Sequence, residues 1–211
     1  MTNTEILRKA PFHLDQTAID WVTATKAQMT LAEKIGQLFV FHSMGQDPDE
    51  LAKLAQLKPA GITRNFSADL AYEAQFIDTL QGAAKVPLFI SADLEGSRMS
   101  LPVGTQVPNP LALAAVNDIQ ASRTIARIMA QEARGIGINW SFTPVIDINH
   151  AFRSAIVATR GFGSSVETIE AQALAQTQLA GGGDLRSGRA ASPLPNAPAT
   201  ESGNSAQVMK R

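Results

Sequence analysis

The sequence contains no cysteine, so disulfide frameworks, thiolate nucleophiles and cysteine-bound metals are all excluded. Charge is scarce and balanced. Only 18% of residues are charged and the net charge is −1, so no nucleic acid or anionic membrane is expected as a partner. No stretch approaches the ~20 apolar residues of a membrane span. The N-terminus, MTNTEILRKAPFHLD, has no apolar run, so a secretory leader is not expected and a cytoplasmic location is. The three histidines, His13, His42 and His150, lack metal-ligand spacing, and each is read as structural. No metal is expected. No phosphate-binding loop occurs. GIGIN (135–139) precedes a strand rather than following one, so the dinucleotide turn fails on context and no cofactor is expected. What remains is a chain of 211 residues with 45% apolar content, enough for one domain with a sizeable core.

Helix signals alternate with short β-rich runs. Residues 1–29 read as an N-terminal helical segment. Thr30 with Glu33 forms a capping box ahead of LAEKIGQLF, and LFVFH (38–42) is a strand. Pro48 opens a helix at its first position. GIT (61–63) is a short strand. Residues 69–84 place Leu70, Phe76, Ile77 and Leu80 at helical spacing. PLFISAD (87–93) is apolar on both faces, as a parallel sheet demands. One long helix is expected within 112–137, ended by Gly135 and Gly137, then a strand in 138–148 with a turn at Pro144. Trp140 and Phe142 alternate with Ser141 and are read as core. A last helix spans 165–179, capped by Ser164 or Ser165.

Strand–helix alternation with short connections predicts an α/β fold with a parallel sheet. Four strands make either about half of a (β/α)₈ barrel or a small doubly wound sheet. From Gly181 the composition changes to Gly, Pro, Ser and Ala, without an aromatic residue or an isoleucine. Residues 181–211 are therefore read as a disordered tail, either a natural terminus or a slipped reading frame.

The chemistry concentrates in LFISADLEGSRMSLPVG (88–104) and in INWSFTPVIDIN (138–149) with the following TRGFGS. In a parallel barrel, substrates bind at the C-terminal ends of strands. Asp93 ends a strand and should face the barrel mouth, whereas Glu95 begins a loop that Gly96 turns. A carboxylate there suits two sugar hydroxyls; the bland alternative is a loop cap or an ion pair with Arg98. Arg160 can donate bidentately to oxygens, or form a surface pair worth ~0–1 kcal/mol. Asp147 is read as a turn residue.

Four motifs, MTLAEKIGQLF (29–39), PLFISADLEG (87–96), INWSFTPVIDIN (138–149) and SAIVATRGFGS (154–164), occur in order. Through them, residues 30–180 resemble the N-terminal barrel domain of glycoside hydrolase family 3, and most of all the bacterial β-N-acetylhexosaminidases. The resemblance implies a partial TIM barrel over 30–180 and a β-linked carbohydrate substrate. It implies that Asp93, Arg98 and Arg160 bind that substrate. Ser97 stands where the family's turn has a second glycine. The family's A-K-H-F-P-G-D-G motif, its D-x-H acid/base histidine and its nucleophilic aspartate are not found, so no catalytic residue is assigned and the chain as written is expected to be inactive. One shifted frame of back-translated SPLPNAPATESGN reads A-I-A-K-R-P-G-D-G-V-G-E, which favours a frameshifted tail. A β-glucosidase or β-xylosidase of the same family, and a catalytically dead sugar-binding half-barrel, are the rival expectations.

Overall fold

The computed structural model describes residues 3–43, 47–151, 154–180 and 186–187. The chain divides into two units by internal contacts, the first containing residues 1–28 and the second 29–192. In the first, α1 (Asn3–Arg8) and α2 (Gln16–Gln28) are helical, and Asp15 accepts the Ala18 N–H at the start of α2. Helix α1 was not separately expected; it is a six-residue element without apolar periodicity.

The second unit runs α3 (Leu31–Gly36), β1 (Val40–Ser43), α4 (Pro48–Gln56), β2 (Gly61–Arg64), α5 (Leu70–Ala83), β3 (Phe89–Ala92), α6 (Pro110–Val116), α7 (Ile119–Gly135), β4 (Trp140–Ser141), α8 (Val166–Ala180) and β5 (Arg186–Ser187). Local chemistry sets most boundaries. The Thr30–Glu33 capping box starts α3. Asp47 caps α4 with Pro48 at its first turn, and Ser165 rather than Ser164 caps α8 by accepting the Thr168 N–H. The single helix expected in 112–137 is two. Asn117 takes a left-handed conformation (φ 54°), and Asp118 then caps α7 through the N–H groups of Gln120 and Ala121. An Asn–Asp pair can close one helix and open the next, and apolar spacing is blind to that.

Among the described residues five strands form one parallel sheet, in the order β1-β2-β3-β4-β5. Each new strand joins the same edge. A doubly wound sheet reverses direction at a switch point, so this succession is that of a sector of a (β/α)₈ barrel. The fifth strand lies in the segment where none was expected. Backbone pairing with β4 needs no apolar pattern, and two residues suffice for it. The remaining residues of 181–211, on which the disordered and frameshifted tail was placed, lie outside the described residues.

One face of the sheet is covered by helices. Ile62 and Ile90, each 1% exposed, pack there with Phe76, Ile77 and Leu80 of α5 and Ala133 of α7. Side-chain alternation puts Phe89, Ser91 and Trp140 on the other face. Trp140 packs between Phe89 and Phe142, at ring separations of 5.7 and 4.9 Å. The expectation that Trp140 and Phe142 are core is corrected: Trp140 is half-buried and Phe142 is exposed, while Ser141 is the buried member. The period was read correctly and its phase was not, because helices cover only the Ser141 face.

Two carboxylates tie the frame together. Glu33 accepts from Lys58 Nζ (2.8 Å), the Thr30 N–H (2.8 Å) and Lys85 Nζ (3.0 Å), and these hold it well below its ordinary 4.5. Burial pushes Glu73 up, but hydrogen bonds from Arg64 and Ser67 outweigh it and leave the group below 4.5. A carboxylate lowered in the folded state stabilises it above the unfolded value and loses that contribution as pH falls toward the folded one. The urea midpoint is therefore expected to fall steadily from about pH 5 to about pH 3. Glu33→Gln should flatten part of that slope; a midpoint independent of pH in this range would contradict the assignment.

Candidate functional site

The site is assembled at the C-terminal end of β3. Asp93 follows the last residue of that strand. The next residues are fixed by backbone bonds: the Leu94 N–H donates to Thr143 Oγ1 (3.3 Å) and the Glu95 N–H to the Met99 carbonyl (3.1 Å). Gly96 has φ +97°, and a Cβ there would lie 2.2 Å from the Pro108 carbonyl oxygen. No other residue type fits that position without displacing backbone. Ser97 follows at φ +54° and donates its N–H to the Val107 carbonyl (2.7 Å). The serine thus keeps the left-handed geometry that a glycine would take freely.

The second contribution comes from the loop after β4. Gly161 bridges to Val145 in a parallel sense, and the Asn149 N–H donates to the Gly163 carbonyl (3.0 Å). Phe162, 2% exposed, is buried against Leu113, Ile169 and Ala173. Arg160 closes a short 3₁₀ turn, Ala158–Arg160, directly before these anchors.

The structure brings Asp93 and Arg160 together. Arg160 Nη2 lies 3.5 Å from Asp93 Oδ2, with both side chains about one-third exposed (35% and 36%). Behind them sits Glu95, its side chain 1% exposed, accepting from Arg160 Nε and Nη2 at 2.6 Å each. Hydrogen bonding to Glu95 holds the guanidinium above its ordinary range against the opposing effect of desolvation, and Asp93 and Asp147 add to the rise. Asp147 therefore belongs to the charge field of the site, and the turn expected at it is not formed: it lies in the irregular segment that follows Val145. Arg98 is not drawn in: it is exposed, and it forms no ion pair among the described residues. The alternative pairing of Asp93 with Arg98 is replaced by pairing with Arg160.

Glu95 is the residue that sequence reasoning underrated. Its only local signal was a carboxylate preceding a tight glycine turn. Its partner lies 65 positions away, beyond any periodicity. Among the described residues no group of three or more His, Asp or Glu side chains is placed to hold a metal ion, and no helix is long and apolar enough to cross a membrane. A separate cleft of about 550 Å³ lies between the 142–148 segment and α8, lined by Phe142, Ile146, Ile148 and Leu174 among others, and it includes none of the site residues.

A two-oxygen acceptor beside a planar donor is an arrangement for vicinal hydroxyl groups: Asp93 can accept from one hydroxyl while Arg160 donates to its neighbour.

Comparison with known proteins places this geometry in a family. The model for the Glycosyl hydrolase family 3 N terminal domain matches residues 30–181. A β-N-acetylglucosaminidase/β-glucosidase of Cellulomonas fimi is 41% identical over 166 residues, 78% of this chain and 29% of that protein. Among solved structures, the β-glucoside phosphorylase BglX bound to 2FGlc superposes with a TM-score of 0.76 at 28% identity, covering 83% of this chain and 32% of that one. A family 3 β-N-acetylglucosaminidase from Paenibacillus sp. superposes at 0.64 with 30% identity, over 71% of this chain and 30% of that one. The chain thus spans about a third or less of the length of these relatives.

Proposed function

The chain belongs to glycosyl hydrolase family 3, through its N-terminal domain, and on that footing we propose that Asp93 and Arg160, with the exposed Arg98 of the adjoining glycine turn reaching in only once a ligand is present, bind the terminal sugar of a β-linked glycoside whose hydrolysis releases N-acetylglucosamine. The observation that carries the reading is the partly exposed Asp93–Arg160 pair at a strand's C-terminal end, backed by a buried carboxylate. Partial exposure matters. The two groups are ordered by the fold yet still present oxygens and N–H groups to solvent, as a preorganised hydroxyl-binding pair must. These residues bind and orient; bond cleavage requires a nucleophile and a proton donor, to which none of the three is assigned.

A second reading, a β-glucosidase, draws on the double name of the Cellulomonas fimi relative. The two differ at the sugar's second carbon, where an acetamido group replaces a hydroxyl. Titration of the ¹⁵N-labelled chain with N-acetyl-D-glucosamine, D-glucose and D-xylose separates them. Amide shifts at Gly96 and Gly161 should saturate with the first at lower concentration than with the others. Asp93→Ala should weaken that binding by ~1–3 kcal/mol, the cost of leaving polar partners unpaired. Undiminished affinity in this variant would remove Asp93 from the site.

A further inference from the structure

Glu95 cannot touch a ligand. Its side chain is 1% exposed, and both carboxylate oxygens are occupied by Arg160. Its backbone is equally constrained, by the bond to the Met99 carbonyl and by the glycine turn against Pro108. Arg160, by contrast, ends a long side chain and is one-third exposed. A guanidinium has five N–H donors in one plane. Glu95 takes the edge formed by Nε and Nη2, so the Nη1 amine and the remaining Nη2 hydrogen are the donors left for Asp93 and a ligand.

The pairing also settles charge. Asp93, Glu95 and Arg160 together carry −1, with Asp147 adding to the negative field. Arg160 therefore offers directed N–H groups without a net positive site. Such a site accepts neutral hydroxyls and repels carboxylates and phosphates.

We infer that Glu95 is a positioning residue: it fixes the plane of Arg160 and cancels its charge, so that the site selects a neutral sugar over an anionic one. The inference rests on the sugar-binding reading of Asp93 and Arg160. It deepens that reading by assigning substrate charge to a residue that the substrate never meets.

The test uses the full 211-residue chain, N-acetyl-D-glucosamine as the neutral probe and D-glucuronate as the anionic one. Glu95→Gln keeps the side chain's size and removes its charge. N-acetylglucosamine should bind about tenfold or more weakly, equivalent to ~1.4 kcal/mol or more. Glucuronate should bind no more weakly than to the wild type, so the selectivity ratio shifts toward the anion. The Arg160 Nε–H cross-peak, held by Glu95 in the wild type, should move or broaden. Glu95→Asp, which keeps the charge but shortens the reach, should restore the preference for the neutral sugar. An equal loss for both sugars, in step with a lowered melting temperature, would mean that Glu95 is merely structural and would overturn the inference. So would an Nε–H peak indifferent to Glu95→Gln.

Should Glu95→Gln not fold, the wild type still decides. Saturation with N-acetylglucosamine should leave the Nε–H peak in place, and a peak that shifts as far as the site amides refutes the inference. If neither sugar binds the wild type, the sugar-binding reading fails and the selectivity claim with it. The response of the Nε–H peak to Glu95→Gln then judges the positioning of Arg160 on its own.

Discussion

Replacing Arg64 with alanine should destabilise the fold by ~3–5 kcal/mol, the cost of stranding one member of a buried ion pair. Arg64 ends β2 and is 3% exposed, and Glu73 on α5 is fully buried. The guanidinium donates to both carboxylate oxygens of Glu73, through Nε and through Nη2 (3.1 Å), while Nη1 reaches Ser43 Oγ at the end of β1 (3.2 Å). The Phe76 ring lies beneath the charge, 3.9 Å from ring centroid to Cζ. One side chain thus ties two strands to the helix that covers them. Glu73→Ala should cost about as much, since it leaves the arginine buried and unneutralised. The double replacement Arg64→Met/Glu73→Leu should recover much of the loss, because two apolar groups need no desolvated charge. Domains of ordinary stability hold ~5–15 kcal/mol in total, so either single variant should show a large drop in urea midpoint. Single variants as stable as the wild type would contradict this account of how β2 is held.

Ile90→Ala should cost ~2–5 kcal/mol, the range for deleting most of a buried aliphatic side chain. Ile90 is 1% exposed on the central strand β3, level with Ile62 of β2, in the core completed by α5 and α7. Its N–H is held by Asn139 Oδ1 (2.8 Å), so the backbone cannot follow the missing side chain inward. The cavity should therefore stay open, which puts the cost toward the upper end. The effect reaches the site, because Asp93 lies three residues further along the chain, directly after the end of β3. Denaturation by urea followed by circular dichroism measures the loss. A change below ~1 kcal/mol would mean that the core closes over the deletion.

How much was legible beforehand depended on how local the cause was. Thr30 and Glu33, Pro48, and the Ser164–Ser165 pair marked helix starts because each signal acts within three residues. The apolar run LFIS announced a strand buried in a parallel sheet, and Asp93 at its end marked the mouth of a barrel. The break at Asn117–Asp118 was missed because a left-handed Asn117 and an Asp118 side chain that bonds nearby backbone both leave the apolar spacing intact. The burial of Ser141 in place of Trp140 was missed because alternation fixes which residues share a face and does not say which face helices cover. The strand at Arg186–Ser187 was missed because it is recruited by β4 alone.

By itself, the sequence determined the α/β class, the parallel strands, most helix boundaries and the identity of two groups, Asp93 and Arg160, that meet at the site. Those features arise from interactions within a few residues, and composition and spacing record them. Only the tertiary structure decided that Arg160 turns to Glu95, that Asp93 pairs with Arg160 rather than Arg98, and that Arg64 anchors to Glu73 beneath the sheet. Each depends on where strand register and loop anchors bring distant backbone. A charge can pair with any opposite charge within reach, and reach is set by the packed chain.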